Sequence, residues 1–248
     1  MSERDTHFGF EQVPEDEKTA RVRGVFDSVA GRYDLMNDLM SLGLHRVWKR
    51  LAVFIAGVRP GDRVLDLAGG SGDLTRLLAR DVGPQGEVVI LDINRKMLDL
   101  GRDRLLDSGQ VDNVRLVQAN AESLPFAARE FNLTIMGFGL RNVTHKEAAL
   151  AEMYRVLKPG GRAFVLEFSH VKEPLLARIY DTYSFQLLPR LGGLIAKDEA
   201  SYRYLAESIR KHPPQAELAE MMRAAGFERC QYTNMAGGIV AVHSGMRL

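Results

Sequence analysis

Arg63-Val-Leu-Asp-Leu-Ala-Gly-Gly-Ser-Gly-Asp73 is a short apolar run that leads directly into a glycine-rich turn. Such a run is typical of a central parallel strand that is covered on both faces. Gly69, Gly70 and Gly72 allow a sharp turn and a close approach of a ligand to the backbone. A helix that begins near Asp73 would point its first amide groups at that ligand. The stretch therefore predicts a ligand site between a strand and a helix.

The spacing of the glycines and acids separates two classes of nucleotide-derived cofactor. Dinucleotide-binding turns follow G-x-G-x-x-G, and here Thr75 stands where the third glycine would be. Asp66 and Asp92 end consecutive predicted strands, and Asp92 follows Gly72 by about 20 residues, where a carboxylate accepts hydrogen bonds from ribose hydroxyls. Asp66 suits a ligand that carries an ammonium group. The pattern resembles the D-x-G-x-G-x-G pocket of class I methyltransferases for S-adenosylmethionine, with Ala68 at the first glycine; a glycine turn in an unrelated α/β protein is the alternative.

Composition excludes several other classes of protein. The 248 residues include 33 Lys and Arg against 32 Asp and Glu, which gives a formal net charge of +1. This charge is too small to attract the chain to nucleic acid. One cysteine, Cys230, forbids an internal disulfide and fits a reducing compartment, and the scattered histidines predict no metal site. The polar N-terminus has no signal-peptide core, and no window is apolar enough to span a membrane. We expect a cytoplasmic enzyme whose membrane contact, if it has one, is peripheral.

Strands and helices alternate after residue 63, which predicts an α/β fold with a doubly wound, seven-stranded, mostly parallel sheet and an antiparallel edge strand. We expect a single domain, 1–248. Its parts are an N-terminal helical cap, a cofactor-binding core, a helical insertion that acts as a lid, and a C-terminal helix with two strands. They cover residues 1–58, 63–170, 174–210 and 213–248. The strands after the first are predicted at 87–93, 114–119, 131–138, 162–168, 227–232 and 239–243.

The N-terminal region is predicted to be loosely ordered up to residue 20, apart from Phe8 and Phe10, which could hold it to the body. A helix then follows, and a second helical stretch, 32–50, is broken around Gly43. Four large apolar residues of this stretch are assigned to the core by default, although they could line a substrate pocket. They are Met36, Met40, Leu44 and Trp48. The insertion carries two apolar helical faces, one formed by Leu176, Ile179, Tyr180, Tyr183 and Leu187, the other by Tyr202, Leu205, Ala206 and Ile209.

Two further candidate sites follow predicted strands at the same edge of the sheet. Asn120 and Ala121 come after the third strand and are placed to contact an adenine ring, although Asn120 could equally cap a turn. Arg141 and Asn142 come after the fourth strand.

Five stretches resemble the ubiquinone/menaquinone biosynthesis C-methyltransferase family, the UbiE type, of class I methyltransferases. They are Tyr33-Asp-Leu-Met-Asn-Asp-Leu-Met-Ser41, Leu44-His-Arg-Val-Trp-Lys-Arg50, Asp66-Leu-Ala-Gly-Gly-Ser-Gly-Asp73, Phe138-Gly-Leu-Arg-Asn-Val143 and Tyr154-Arg-Val-Leu-Lys-Pro-Gly-Gly161. The similarity runs from Thr6 to the C-terminus, and Ala68 is usual in this family.

The resemblance implies transfer of a methyl group from S-adenosylmethionine to a ring carbon of a polyprenyl hydroquinone. The substrates of the family are 2-polyprenyl-6-methoxy-1,4-benzoquinol and demethylmenaquinol. By position, the cofactor contacts of the family fall on Ser71, Asp92, Asn120 and Ala121. Gly137 stands where a serine is expected, so no side-chain contact is predicted there. Contact with a membrane or a biosynthetic complex, tail length and oligomeric state stay open.

Carbon methylation needs an electron-rich ring, so a phenolic hydroxyl must lose its proton or be strongly hydrogen-bonded as the methyl group moves. We assign Arg141 as the partner of the developing oxyanion, with water taking the proton and Asn142 as a second donor. The alternative is a structural salt bridge from Arg141 to Glu167 or Asp66.

Three rival functions remain. One is a class I methyltransferase acting on an oxygen of another small phenolic or apolar molecule, and another is a nicotinamide dehydrogenase. The third is a lipid- or quinone-binding module without catalysis, which would not require the combined layout of Asp92, Asn120 and Arg141.

Overall fold

The computed structural model describes residues 5–193 and 198–248. Its main sheet has seven strands, and a two-stranded hairpin precedes it. The hairpin consists of β1 (Asp5–Phe8) and β2 (Glu11–Pro14). The strands of the sheet are β3 (Arg63–Leu67), β4 (Glu87–Asp92), β5 (Val114–Gln118), β6 (Phe131–Gly137), β7 (Leu157–Phe168), β8 (Glu228–Met235) and β9 (Val240–Met246).

Ten α-helices surround the sheet in the described ranges. They are α1 (Glu15–Val29), α2 (Tyr33–Ser41), α3 (His45–Ala56), α4 (Asp73–Val82), α5 (Arg95–Asp107), α6 (Lys146–Val156), α7 (Pro174–Thr182), α8 (Leu188–Leu191), α9 (Glu199–Lys211) and α10 (Gln215–Ala224). A π-helical segment, Tyr183–Leu187, joins α7 to α8.

The sheet confirms the predicted fold class. Its order is β5-β4-β3-β6-β7-β9-β8, with β3 at the centre and parallel to both of its neighbours. Among the described pairings, β9 is antiparallel to both strands beside it, β7 and β8, whereas β3 to β7 pair in parallel. Val64, Leu65 and Leu67 of β3 are fully buried because helices cover both faces of the sheet. The carboxyl ends of β3, β4, β5 and β6 consequently meet at one edge.

Two apolar layers, one on each face of the sheet, form the core. The first contains side chains of α1 to α4 and α9, among them Trp48 and Tyr202. The second contains side chains of α6 and α10, among them Met153 and Met222. Side chains of α1 to α3 all belong to the first layer. The N-terminal region is therefore packed against one face of the sheet.

The prediction of a loosely ordered N-terminal arm is wrong for residues 5–20, which form the hairpin and the start of α1. Aromatic stacking holds the hairpin, because the ring of Phe8 lies 4.2 Å from that of Tyr204 and the ring of Phe10 lies 6.0 Å from that of Phe185. The predicted role of Phe8 and Phe10 is thus confirmed. Residues 1–4, also assigned to the arm, lie outside the described residues.

The predicted break near Gly43 is confirmed, because Leu42 and Gly43 both adopt positive φ angles between α2 and α3. Met36, Met40 and Trp48 are buried, as the default assignment to the core requires. Leu44 is 44% exposed and does not belong to the core. It is the N-cap residue of α3.

Strand β7 begins at Leu157, five residues before the predicted start, and so includes the stretch Lys158-Pro-Gly-Gly161. Hydrogen bonds to the C-terminal segment extend it: the Gly160 N–H donates to the carbonyl of Arg247 at 2.6 Å, and the Arg247 N–H donates to the carbonyl of Gly161 at 2.9 Å. The partner lies about 90 residues away in sequence, so local turn chemistry does not reveal it.

The insertion is helical, as predicted, but its two apolar faces differ. Tyr202 and Leu205 of α9 are fully buried. Ile179 and Leu187, at α7 and the π-helical segment, are 60% and 48% exposed, so this face is not packed into the core. Residues 194–197 of the predicted lid lie outside the described residues. Across the described ranges, no helix is both long and apolar enough to cross a membrane.

Candidate active site

A cavity lies at the carboxyl ends of β3 to β6, where the sequence places its candidate residues. The sheet side contributes Gly70, Asp92, Asn120 and Gly137. Apolar and aromatic side chains of the N-terminal helices close the opposite side. They are Val22, Phe26 and Tyr33. The N-terminal region therefore covers the strand ends, as predicted.

Asp92 is nine-tenths buried at the end of β4 and lines the cavity. One carboxylate oxygen accepts the backbone N–H of Gly70 at 3.0 Å, and the other accepts that of Asn94 at 2.8 Å. Burial raises the pKa of Asp92 to about 6, although these backbone hydrogen bonds favour the charged form. Each oxygen has a second lone pair. The carboxylate can therefore accept hydroxyl groups of a ligand.

Asn94 is a site residue that the sequence reasoning missed. Its side-chain oxygen accepts the N–H of Met97 at 3.1 Å and so caps α5, and its amide donates to Asp27 of α1 at 2.9 Å. The N-cap signal was readable, because Asn is preferred immediately before a helix. The contact with Asp27 was not, since α1 lies far away in sequence. Asn94 thereby ties the cover of the cavity to the strand end that carries Asp92.

Asn120 and Ala121 both line the cavity. The side-chain oxygen of Asn120 accepts the N–H of Glu122 at 3.0 Å, which is the turn-capping alternative. This bond uses the oxygen and leaves the amide nitrogen as a separate donor. Capping the turn and contacting a base are therefore compatible roles for Asn120.

The glycine turn uses backbone conformations that side chains avoid. Gly70 and Gly72 have φ angles of 52° and 77°, and Ala68 also lies in the left-handed region, at 51°. A Cβ at Gly69 would lie 2.6 Å from Cγ1 of Ile90, so this glycine is needed for packing against β4. Gly70 lines the cavity and brings its backbone to the position beside Asp92.

Ser71 and Gly72 line a different cavity, together with Lys49, Asp73 and Arg104. The Ser71 side chain is buried, and α4 begins two residues later, at Asp73. The structure thus separates Ser71 and Gly72 from Asp92, although all three were assigned to the cofactor. The cofactor contact of Ser71 remains a prediction, since Ser71 does not line the cavity that contains Asp92.

Asp66 lies beneath the glycine turn and is completely buried. Thr75 donates its hydroxyl to one carboxylate oxygen at 2.6 Å, while the other oxygen is buried with no hydrogen-bond partner in the described residues. Burial raises the pKa of Asp66 to about 7. Thr75, which stands where a dinucleotide fold has its third glycine, therefore anchors this carboxyl group.

Arg141 makes the structural salt bridge that the sequence left as an alternative. Its guanidinium Nη1 donates to Glu167 at 2.7 Å and to the carbonyl of Phe138 at 2.6 Å, and both charged side chains are buried. Its guanidinium also lies 5.4 Å from the ring centre of Phe168. The side chain lines a further cavity, which borders α6 and α9.

Asn142, by contrast, lines the same cavity as Asp92. Its side-chain oxygen accepts the hydroxyl of Tyr204 at 2.9 Å. Residues 140–142 form a 3-10 turn, so consecutive side chains leave it in different directions. The structure thus divides the predicted pair, with Asn142 at the cavity and Arg141 behind it.

Gly137 and Phe138 complete the cavity wall at the end of β6. A Cβ at Gly137 would lie 2.4 Å from Cδ1 of Leu74, so the packing here fits glycine and not the serine of the family pattern. Phe138 packs against Trp48 and Phe168, with ring centres 6.5 and 4.9 Å away. This aromatic cluster was not predicted, because it joins three distant segments.

Comparison with known proteins agrees with this geometry. The model of the ubiE/COQ5 methyltransferase family matches residues 14–247. The ubiquinone/menaquinone biosynthesis C-methyltransferase UbiE of Ectopseudomonas mendocina is 62% identical over 99% of this chain and 96% of its own, and that of Methylococcus capsulatus is 60% identical over the full length of both. An Aquifex aeolicus SAM-dependent methyltransferase has the same fold, with a TM-score of 0.62 and 16% identity over 86% of this chain and 97% of its own. A possible histamine N-methyltransferase of Thermotoga maritima has a TM-score of 0.64 and 20% identity over 91% of this chain and 99% of its own. The chain therefore belongs to the ubiE/COQ5 methyltransferase family.

Proposed function

We propose that this chain transfers a methyl group from S-adenosylmethionine to a ring carbon of a polyprenyl hydroquinone, in ubiquinone and menaquinone biosynthesis. The substrates are 2-polyprenyl-6-methoxy-1,4-benzoquinol and demethylmenaquinol. Family membership, with about 60% identity to enzymes named for this reaction, supports the proposal. The observation that carries it is a single cavity lined by the buried carboxylate of Asp92, the side-chain amides of Asn120 and Asn142, and aromatic side chains.

The residues of the cavity fit S-adenosylmethionine, which supplies an electrophilic methyl group when bound. Asp92 would accept the ribose hydroxyls, and Asn120 with the backbone of Ala121 would contact the adenine. A side chain at Gly70 would fill this space, because its Cβ would lie 3.3 Å from Cε of Met97 and 3.7 Å from the Asp92 carboxylate. The glycine therefore keeps open a cradle beside the proposed ribose position.

The quinol ring would lie against the apolar part of the same cavity. Phe26 and Phe138 are the aromatic residues on its two sides, and Val22 adds an aliphatic contact. Transfer of the methyl group from a sulfonium to a phenolate cancels charge, so walls that exclude water favour the reaction. Orientation of the ring within this enclosure supplies a further part of the rate.

Asn142 is the residue that we place at the quinol hydroxyl. Its oxygen accepts the hydroxyl of Tyr204, which leaves its amide nitrogen as a separate donor for the quinol hydroxyl. Arg141 lies behind it, and its bonds to Glu167 and Phe138 hold the turn in place. Arg141 does not line the cavity that holds Asp92, so an oxyanion contact would require its guanidinium to move out of the neighbouring cavity. We therefore favour a positioning role for Arg141, with water taking the proton.

The test is product analysis with purified protein. Incubation with methyl-labelled S-adenosylmethionine and demethylmenaquinol, followed by mass spectrometry of fragments, should place the label on a ring carbon. A simple phenol offered in parallel should stay unlabelled, and the variant Asp92→Asn should give less product. Label on an oxygen would favour the alternative, an O-methyltransferase, and absence of transfer to the quinol would refute the proposal.

A polyprenyl substrate dissolves in lipid, and the outer face of α3 suits contact with a membrane. Val47, Leu51 and Phe54 follow one another along this face and are 47%, 42% and 82% exposed. The helix contains no acidic residue, and Arg46 and Arg50 flank the apolar stripe. We propose that this face rests on anionic lipid. Sedimentation with phosphatidylglycerol vesicles should fall for Phe54→Ser and not for Leu106→Ser, an exposed leucine on α5; equal sedimentation of the two variants would refute the contact.

A further inference from the structure

The cavity that Arg141 lines is polar and lies between the N-terminal hairpin, α1, the first turn of α6 and the end of α9. Four cationic residues from separate segments line it, against two carboxylates, those of Glu147 and Glu217. The cations are Lys18, Arg141, Lys146 and Lys211. This convergence of positive charge is not required by the methyl-transfer site.

Two of these cations share one weak partner. The ammonium of Lys18 lies 3.4 Å from the carbonyl oxygen of Val143, and that of Lys146 lies 3.3 Å from the same oxygen. Lys18 is only 4% exposed. Neither ammonium has a carboxylate within 4.0 Å in the described part of the chain. Burial and the nearby Lys146 lower the pKa of Lys18 to about 8, and burial also lowers that of Lys146.

The third cation also has an unused donor. Arg141 is 7% exposed, and its Nη1 bonds to Glu167 and Phe138. Its Nε–H is buried and has no hydrogen-bond partner among the described residues. A buried donor without a partner costs free energy, so native proteins rarely keep one. The cavity therefore holds two ammonium groups that lack a direct carboxylate partner in the described part of the chain, although Glu122 lies close enough to act on both, and one donor without a hydrogen-bond partner.

We propose that this cavity binds a phosphate-type oxyanion through Lys18, Lys146 and Arg141. The three donors belong to α1, α6 and the turn after β6, so they approach from different directions. A tetrahedral anion offers acceptor oxygens in several directions, whereas a carboxylate offers two in one plane. The hydroxyl of Thr144 lines the same space and can donate to a remaining oxygen. The anion could be free phosphate or diphosphate, or the phosphate of a lipid headgroup.

The site is tested by thermal unfolding, which does not depend on methyl transfer. Inorganic phosphate and pyrophosphate should raise the melting temperature of the whole protein with the logarithm of their concentration, beyond chloride at equal ionic strength. Lys146→Met should weaken the apparent affinity roughly tenfold or more, since it removes a charge-assisted hydrogen bond. Lys172→Met is the matched control, because this lysine lies over the ring of Tyr232 outside the cavity, and it should respond like the natural protein.

A second variant keeps the test independent of folding. Lys18→Met replaces a buried ammonium by an apolar chain of similar length, so it should melt higher than the natural protein without anion and lose the response to phosphate. A soluble short-chain phosphatidylglycerol, compared with inorganic phosphate at equal concentration, identifies the source of the anion by the larger shift. The site is refuted if neither probe exceeds the chloride effect, or if Lys146→Met and Lys18→Met respond as strongly as Lys172→Met.

Discussion

Asp66 and Asp92 end neighbouring strands, yet their surroundings give them different roles. Asp92 faces the cavity and is held by two backbone N–H groups, whereas Asp66 is sealed beneath the turn with Thr75. The sequence placed both at the cofactor, because strand ends on one edge look equivalent in a linear pattern. The difference arises from the φ angles of the turn, which carry the chain over Asp66 and toward Asp92.

The first prediction concerns Asp92. Replacement by Ala removes the proposed acceptor of the ribose hydroxyls, so the affinity for S-adenosylmethionine should weaken by roughly 1.5 to 3 kcal/mol. Calorimetry on the folded variant measures the change. Gln118→Ala is a suitable control, because Gln118 ends the adjacent strand opposite Asp92 in the ladder and is exposed. Unchanged cofactor binding in Asp92→Ala would disprove the assignment.

The second prediction concerns Arg141. Replacement by Ala should lower turnover while the affinity for S-adenosylhomocysteine stays nearly unchanged. The loss should be on the order of 10² if the guanidinium contacts the quinol oxygen directly, and smaller if Arg141 only positions the turn that carries Asn142. It should also cost about 3 to 5 kcal/mol of stability, since Glu167 is left buried without its partner. Lys should retain the charge but lose the planar fork that reaches two acceptors, so its turnover should also fall.

The double variant Arg141→Met, Glu167→Gln separates the two roles of Arg141. It removes both buried charges and should recover stability. Turnover that recovers with stability would assign Arg141 to positioning the turn that carries Asn142. Turnover that stays low would favour a direct contact with the quinol oxygen. Near-normal turnover of Arg141→Ala at saturating quinol would exclude Arg141 from the reaction.

At the scale of elements, the sequence predicted two kinds of strand and helix. Some pack against segments that are close in sequence, and others have apolar residues at a regular spacing. The turn from β3 into α4 and the helix α9 are examples, since each carries its own pattern of glycines or buried residues. The hairpin 5–14 was missed because its order comes from stacking on Tyr204, and β7 was predicted short because its extra pairing is with Arg247. Elements that depend on distant partners lack a local signal.

The third prediction concerns the insertion, which the sequence treats as one lid. The face of α9 is buried, whereas α7 exposes Leu175 and Ile179 at 66% and 60%. We therefore expect amide hydrogen exchange to slow mainly in residues 174–191 when a quinol analogue and S-adenosylhomocysteine bind. Residues 199–211 should exchange slowly in both states. Exchange in 174–191 that is as slow in the free protein as in the complex would contradict a lid.

At the scale of the whole molecule, the position of the cavity could be predicted from sequence. The distribution of the candidate residues among neighbouring cavities could not. Strand ends predicted one edge, and Asp92, Asn120, Ala121 and Asn142 do line one cavity there. Ser71 and Arg141 each line another cavity, so the cofactor contact of Ser71 and the quinol contact of Arg141 stay predictions. The direction in which a side chain leaves a turn depends on backbone angles and on packing. Residue spacing predicts neither of them.

The last prediction concerns the buried carboxyl group of Asp66 and the dependence of the protein's stability on pH. Burial raises the pKa of Asp66 to about 7 in the folded state, above the ordinary value near 3.8 that applies when the chain unfolds. Between these values the folded protein binds more protons than the unfolded chain, so this group stabilises the fold at low pH and loses that contribution as pH rises toward 7. Asp66→Asn keeps an oxygen that accepts the Thr75 hydroxyl but carries no charge. It should exceed the natural protein in unfolding free energy by on the order of 2 to 4 kcal/mol at pH 8, and the difference should shrink toward pH 4.5. Urea unfolding at several pH values measures this, with the exposed Asp103→Asn as control, and a difference that is constant with pH would show that Asp66 does not titrate as its burial requires.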